Sequence, residues 1–147
     1  MNLVARICFY LGAAGSLAAS AIHVWAIFAG PTTYANLGAP PDVIASAEAG
    51  TYYAPTVTLI IAGVLIGWAL YAMSAIGHLP RLLWLKTGLI AIAVVLIVRG
   101  FIIIPIIMSG MAPGTPFNVW SSAICFALGS VYAVGIWQGW PHLGKRT

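Results

Sequence analysis

Four long apolar stretches limit what this chain can fold into. They occupy residues 4–29, 52–76, 83–108 and 116–140, and segments containing glycine and proline separate them. A helix needs ~20 mainly apolar residues to cross the hydrocarbon core of a bilayer, and each stretch is long enough to do so. We therefore expect an all-α integral membrane protein whose residues 1–147 form a single domain, a four-transmembrane-helix bundle with short loops.

The composition agrees with this expectation. Hydrophobic residues make up 62% of the chain and charged residues only 5%, whereas about a quarter of the residues of a soluble domain are charged. The formal net charge is +4, but the 6 basic residues are spread along the chain and form no cluster that follows a phosphate backbone. The composition therefore predicts membrane lipids as partners and argues against nucleic acid.

Neither cysteine lies in a pattern typical of a metal or disulfide site. Cys8 and Cys125 both fall in apolar stretches and have no C-x-x-C spacing, so we read them as small hydrophobic residues and expect no metal and no cofactor. The first stretch contains A-x-A-like sites typical of signal-peptide cleavage. It nevertheless stays apolar as far as Phe28, which favours a retained span.

The charged residues predict an orientation. Asp42 and Glu48 lie in the connection between the first and second spans. With four crossings, the basic residues at or beyond the span ends lie together on the other side of the membrane; these are Arg6, Arg81, Lys86, Lys145 and Arg146. Because lysine and arginine accumulate on the cytoplasmic side, we expect both termini in the cytoplasm (N-in/C-in) and a location in the cell inner (plasma) membrane.

The connection 31–50 is the longest outer loop. Its residues Ala39 to Asp42 are typical of an extended segment followed by a helix cap, and the sequence VIASAEA that follows predicts a short helix. Loops of this length are often lids or binding elements. A solvated connector is the alternative, and the sequence leaves both open.

Small residues recur at every fourth position on several predicted spans, a pattern that lets helices approach closely. These positions are Gly12, Ser16 and Ser20 on the first span, Gly63 and Gly67 on the second, and Ser121, Cys125 and Gly129 on the fourth.

Arg99 is the strongest functional lead. It is the only charged residue in the stretch LIAIAVVLIVRGFIIIPIIM, residues 89–108. A guanidinium stays protonated in proteins, so an arginine within a membrane span needs partners, water or a path to the interface. Pro105 releases the carbonyl of Phe101 from its helical hydrogen bond, which adds a possible acceptor near Arg99.

Several polar residues are predicted at the depth of Arg99. From a rise of ~1.5 Å per residue, His23 lies roughly 10 Å and Arg99 roughly 5 Å beyond the middle of their spans, both in the outer half. The other spans and the outer loop add polar residues at the same level, so the predicted ligand-binding set is Arg99, His23, Glu48, Tyr52, Tyr53, Asn118 and Ser122. The inner half has no comparable set, since Ser74, Thr87 and Gln138 are scattered. We interpret the set as a cup that opens outward, with Arg99 at its floor, where Glu48 or a bound anion neutralises the charge.

Each of these residues also has a purely structural interpretation. Arg99 can extend toward the outer headgroups. His23 can be hydrogen-bonded inside the protein, because no second histidine lies at a metal-binding spacing. Tyr52 and Tyr53 can belong to the aromatic belt at the membrane surface.

Three functions are compatible with the sequence. The first is binding, or assisted transport, of a small anionic or amphipathic ligand in the cup; a chain this short would then act as a homo-oligomer. The second is an accessory or scaffolding subunit that packs against a partner membrane subunit. The third is a membrane enzyme acting on a lipid, quinone or isoprenoid, which the absence of a recognisable catalytic motif disfavours.

Overall fold

The computed structural model describes residues 1–109 and 116–144, and every regular element within them is helical. The helices are α1 (Leu3–Ala29), α2 (Pro31–Asn36), α3 (Pro41–Glu48), α4 (Tyr53–Ala75), α5 (Leu85–Met108) and α6 (Pro116–Leu143). Helices α1, α4 and α6 over their full length, and α5 from Leu85 to Ile106, are long and apolar enough to cross a membrane. The all-α class and the four predicted spans are thus confirmed. The predicted loop 109–115, apart from Ser109, and the basic residues Lys145 and Arg146 lie outside the described residues.

The exposed surfaces of the long helices carry large apolar side chains. Leu17 on α1, Ile60 on α4, Val95 on α5 and Ile124 on α6 are all exposed. In water such surfaces would associate, whereas in a bilayer they contact lipid at no cost. The exposure pattern therefore agrees with four membrane spans.

The chain forms two compact units. Unit 1 consists of Met1–Gly15 and Trp68–Thr147, and unit 2 consists of Ser16–Gly67, so the divisions fall inside α1 and α4. The prediction of a single domain stays a prediction.

Unit 1 has an apolar core with one polar group at its centre. Phe9, Leu89, Tyr132 and Leu143 are its largest fully buried side chains. The Tyr132 hydroxyl donates a hydrogen bond to the carbonyl of Trp68 at 3.2 Å. A buried tyrosine normally requires such a partner, so α6 is held to the end of α4 by a specific bond as well as by packing.

Glycines bring α5 and α6 into close contact in unit 1. A Cβ on Gly100 would lie 2.7 Å from the Cβ of Phe126, and one on Gly129 would lie 2.9 Å from the backbone nitrogen of Ile97. These distances leave no room for a side chain at either glycine. The rings of Phe101 and Phe126 then meet edge to face, with 4.9 Å between their centroids.

Unit 2 is held together mainly by small residues and hydroxyl groups. Tyr34, Val43 and Ala54 form its core cluster. The Ser20 hydroxyl donates to the carbonyl of Ala62 at 3.0 Å and so joins α1 to α4. This bond uses the small-residue face of α1 that the sequence predicts.

The connection 31–50 contains two short helices, α2 and α3, where the sequence predicted one. Gly30 has φ 91° and Pro31 is the first residue of α2; proline is favoured there because its fixed φ suits the first turn. The predicted cap at Asp42 was wrong. Pro40 is the N-cap residue of α3 with no side-chain cap bond, and Asp42 lies in the first turn, where its negative charge suits the helix dipole.

Candidate functional site

Arg99 and Ser122 lie together at the contact between α5 and α6. Arg99 is exposed, while Ser122 is buried. The Nη1 of Arg99 donates to the Ser122 hydroxyl oxygen at 3.5 Å, a long hydrogen bond. Two residues of the predicted set are therefore brought together, on neighbouring helices of unit 1.

The close approach of the two helices fixes this pair. Gly100 follows Arg99 on α5 and packs against Phe126, which lies one turn beyond Ser122 on α6. Because Gly100 has no side chain, the backbones can approach until the Arg99 guanidinium reaches the Ser122 hydroxyl. The signal for this contact is visible in the sequence as the dipeptide Arg99-Gly100, but the partner residue is not.

An apolar groove lies beside Arg99 on the exposed side of α5. It has a volume of about 450 Å³. Its lining residues are all apolar: Ile97, Val98, Phe101, Ile102, Ile104 and Pro105. Val98 and Ile102 are one position and one turn away from Arg99, so a cationic group lies at the side of a surface suited to a hydrocarbon chain.

Every Lys, Arg, Asp or Glu side chain of unit 1 is basic. All 6 lysines and arginines of the chain fall within its sequence, and the 2 acidic residues, Asp42 and Glu48, fall within unit 2. Unit 1 therefore has no Asp or Glu side chain to pair with Arg99. The Ser122 hydroxyl provides a hydrogen bond but no negative charge.

Asn118 lies on α6 one turn before Ser122 and is partly buried. Its backbone carbonyl accepts a hydrogen bond from the Ser121 hydroxyl at 3.3 Å. The predicted polar end of α6 thus includes a local hydrogen bond within the helix. Asn118 and Ser122 belong to the same unit as Arg99.

His23 lies in unit 2 and is half-buried. Its Nδ1 is 2.8 Å from the carbonyl oxygen of Ala19, one turn earlier on α1. Since a carbonyl can only accept, Nδ1 carries the proton, and in the neutral ring Nε2 is the acceptor. This bond supports the alternative in which His23 is a hydrogen-bonded interior histidine; its predicted ligand role stays a prediction.

The other predicted residues of unit 2 lie where α3 meets α4. Tyr52 and Glu48 are exposed, and the Tyr53 hydroxyl donates to the Asp42 carboxylate at 3.0 Å. Tyr53 therefore joins the first turn of α3 to the first turn of α4. The predicted pairing of Glu48 with Arg99 and the predicted cup stay predictions.

Ser46 organises this junction, although no sequence pattern predicts a role for it. Its hydroxyl oxygen accepts from the backbone N–H of Ala54 at 2.9 Å and shares a 2.6 Å hydrogen bond with the Thr51 hydroxyl. The backbone N–H of Thr51 donates to the Ser46 carbonyl at 3.0 Å. A residue of α3 thus satisfies a free N–H in the first turn of α4.

Tyr34 and Thr58 form a second interior contact that the sequence did not predict. Thr58 donates its hydroxyl to the Ala54 carbonyl at 2.8 Å, and a 3.4 Å contact joins it to the Tyr34 hydroxyl. Tyr34 lies on α2, the helix that the sequence also missed. A pattern of local residues cannot reveal such pairs, since they are separated along the chain.

Interior polar groups are satisfied throughout the described part of the chain. Among residues 1–109 and 116–144, no buried side-chain nitrogen or oxygen lacks a hydrogen-bond partner. The same residues contain no group of three or more His, Cys, Asp or Glu side chains able to hold a metal ion. The candidate ligand-binding groups are therefore polar side chains at the surface, such as Arg99.

Comparison with known proteins adds no assignment. No protein-family model matches the chain, no curated protein matches its sequence, and no solved structure matches its fold. The architecture accordingly defines a class, an all-helical membrane protein with four candidate spans.

Proposed function

We propose that this membrane protein binds a small amphipathic anion through Arg99. The observation that carries the proposal is an exposed arginine on an apolar helix surface, with a neutral hydroxyl as its hydrogen-bond partner, in a unit whose sequence has no Asp or Glu. An unpaired arginine near the centre of a bilayer costs about 2.5 to 3.5 kcal/mol on insertion scales. A ligand that brings its own negative charge removes much of that cost.

The geometry favours a ligand with one anionic head and a hydrocarbon chain. A guanidinium has five N–H donors in a planar fork that matches a carboxylate or phosphate. Ser122 contacts one nitrogen of the fork at 3.5 Å, which leaves its other donors for the anionic head, and the apolar groove receives the chain. A long-chain carboxylate or a phosphate monoester with an alkyl chain has this chemistry.

The proposal includes a position in the membrane. With both termini in the cytoplasm of a bacterial cell and the spans in the inner membrane, Arg99 lies in the outer half of the bilayer. Asn118, one turn before Ser122 on α6, then adds a polar group of the same unit near the anionic head. Binding at this depth suits a protein that accepts a ligand from the outer leaflet or delivers one to it. The protein would act as a homo-oligomer or beside another membrane subunit.

Binding of a spin-labelled long-chain fatty acid to the purified protein in neutral detergent tests the proposal. Arg99→Gln is expected to weaken binding by about tenfold or more, because charge-assisted hydrogen bonds are lost. Arg99→Lys restores the charge but not the fork and is expected to recover binding in part. The methyl ester of the same acid should bind equally weakly to all three proteins.

Two serines of α6 provide a matched control. Ser122→Ala removes the partner of Arg99, whereas Ser130→Ala removes a hydroxyl that donates to the Phe126 carbonyl at 2.8 Å. Only the first is expected to reduce fatty-acid affinity. If the Arg99→Gln variant is folded and binds the acid as tightly as the unchanged protein, then Arg99 does not bind the acid.

A second candidate function, that of a self-associating subunit, is favoured by the open glycine face of α4. A Cβ built on Gly63 or Gly67 meets no atom of the described residues within 4 Å, so within that part of the chain this G-x-x-x-G is an open surface. Such a face lets two identical helices approach closely. Replacing both glycines by leucine should convert a crosslinkable dimer into a monomer in lipid nanodiscs, and a dimer that persists would contradict this function.

A further inference from the structure

Trp84, the residue immediately before α5, combines two locally unfavourable features. Its φ of 52° lies in the left-handed region, where a bulky side chain is an outlier. It also occupies the position before the first helical residue, where Ser, Thr, Asp, Asn or Gly is preferred because a short side-chain oxygen can bond a free N–H of the first turn. Neither feature stabilises the start of α5, so the tryptophan side chain has a role other than starting the helix.

Side chains of α4 fix the turn that leads to Trp84. The Ser74 hydroxyl donates to the Pro80 carbonyl at 3.0 Å and accepts from the N–H of Leu82 at 3.1 Å. One turn earlier on α4, the Tyr71 hydroxyl donates to the carbonyl of Leu83 at 3.1 Å. Three consecutive parts of the turn are therefore bonded to α4 up to the residue before Trp84.

The first turn of α5 fixes Trp84 from the other side. The Trp84 carbonyl accepts a hydrogen bond from the N–H of Gly88 at 2.9 Å. A Cβ on Gly88 would overlap the ring of Tyr71, so this glycine lets Tyr71 pack directly against α5. A strained residue persists where the surrounding structure determines its conformation in this way.

The side chains on this fixed backbone point away from the protein. Leu83 is 81% exposed and Trp84 is 82% exposed. The exposed apolar surface continues along α5 at four-residue spacing through Ile90, Val94 and Val98, residues that share one side of a helix. Leu83 and Trp84 therefore extend the lipid-facing surface of α5 beyond the end of the helix.

The place of Trp84 relative to the spans identifies what covers it. The candidate span of α5 begins at Leu85, so Trp84 lies where this span meets the membrane surface. Trp140 of α6 lies at the same end of unit 1, because the Lys86 ammonium group is 4.1 Å from the centroid of its ring, and it is exposed as well. Tryptophan is enriched at the membrane surface because its ring is apolar and its indole N–H is a hydrogen-bond donor.

We propose that Leu83 and Trp84 form a membrane anchor that inserts between the headgroups and the acyl chains of bilayer phospholipids. The indole N–H of Trp84 donates to a phosphate or ester oxygen, and both side chains contact the upper part of the acyl chains. The left-handed backbone at Trp84 is retained because it presents the ring to this layer.

The anchor also sets the depth of α5 in the bilayer. At ~1.5 Å per residue, Arg99 lies about 22 Å further along the helix, so a fixed position of Trp84 fixes the level of the guanidinium. The anchor does not depend on the ligand proposed for Arg99, because its partner is the lipid at the other end of α5.

Fluorine NMR of the full chain, labelled with fluorotryptophan in phosphatidylcholine nanodiscs, tests the contact. The resonance that disappears in Trp84→Phe belongs to Trp84, and Trp68→Phe identifies the resonance of the half-buried Trp68, which serves as the control. One lipid probe carries a nitroxide on its acyl chain next to the headgroup, and a second carries it at the end of the chain. The first is expected to broaden the Trp84 resonance about twofold more than the second does, and more than it broadens the Trp68 resonance.

Trypsin cleavage after Arg81 in the same nanodiscs measures what the anchor does. Insertion of Leu83 and Trp84 holds this bond at the lipid surface, away from the protease. The double variant Leu83→Ser, Trp84→Gly is expected to be cleaved about tenfold faster, because cleavage follows the population of the accessible state. Glycine adopts a φ of 52° without strain, so the substitution at Trp84 does not work against the fold. The double variant Leu83→Ile, Trp84→Phe keeps two apolar side chains and is expected to stay protected.

Three results would overturn the anchor. A Trp84 resonance that neither lipid probe broadens would show that protein, such as a second copy of the chain, covers the ring. Broadening only by a water-soluble gadolinium chelate would place the ring in solvent. Equal cleavage rates of the unchanged protein and the Leu83→Ser, Trp84→Gly variant would show that lipid does not hold this segment. Fatty-acid binding by the Arg99 variants is a separate measurement, so failure of one proposal is distinguished from failure of the other.

Discussion

In unit 2 serine hydroxyls join the helices, whereas in unit 1 glycines bring α5 and α6 into close contact. Ser20 and Ser46 each bond to the backbone of α4 in unit 2, while Gly100 and Gly129 let α5 and α6 meet in unit 1. The acids belong to unit 2 and the lysines and arginines to unit 1. All lysine and arginine side chains of the protein therefore belong to unit 1.

The same residue type, glycine, has opposite surroundings in the two units. Gly100 in unit 1 has no space for a Cβ, whereas Gly63 in unit 2 has no described atom within 4 Å of one. A glycine in an open position only weakens its helix, by up to about 1 kcal/mol relative to alanine. The sequence pattern alone therefore does not reveal which glycines carry the packing.

The largest predicted effect tests this contrast. Gly100→Ala is expected to destabilise the protein by about 2 to 3 kcal/mol, because the new methyl group overlaps the Phe126 backbone and forces α5 away from α6. Gly63→Ala is the control and is expected to be neutral or slightly stabilising. Unfolding in mixed detergent micelles, followed by circular dichroism, measures both. Equal stability of the two variants would remove the distinction between the units.

A smaller effect is expected from Ser46→Ala. The substitution leaves the Ala54 N–H at the start of α4 without its side-chain acceptor and removes the bond to Thr51. Loss of a helix-capping hydrogen bond costs about 1 kcal/mol. Hydrogen exchange should become faster at Ala54 and Thr51 and remain unchanged in α5, which lies in unit 1. Unchanged exchange at Ala54 would show that Ser46 does not hold the junction.

The smallest effect is expected from Tyr53→Phe. The substitution removes the bond to the Asp42 carboxylate, but both groups are exposed and water can replace each of them. We expect faster hydrogen exchange in α3 without a measurable change in the unfolding midpoint. An effect as large as that of Ser46→Ala would mean that the Tyr53 bond contributes as much to the junction as the Ser46 bonds do.

Particular residues show how far the candidate site was predictable. Depth along the spans placed Arg99 and Ser122 at one level, and the structure joins them. The same reasoning gave no prediction for Ser46, Tyr34 or Thr58, and it assigned Ser74 no role, although Ser74 holds the turn before α5. Helix rise predicts depth, but it does not give the rotation of one helix against another, and hydrogen-bond partners depend on that rotation.

The sequence by itself determined the four spans, because a chain in a bilayer must satisfy its backbone hydrogen bonds locally and helices of ~20 apolar residues do so. It also determined that the acids and bases fall in different parts of the chain. Only the tertiary structure decided which glycines are closed by a neighbour. It also decided that the Arg99 side chain is exposed on the surface of α5 near an apolar groove. These features arise from contacts between residues far apart along the chain, and no local pattern specifies them.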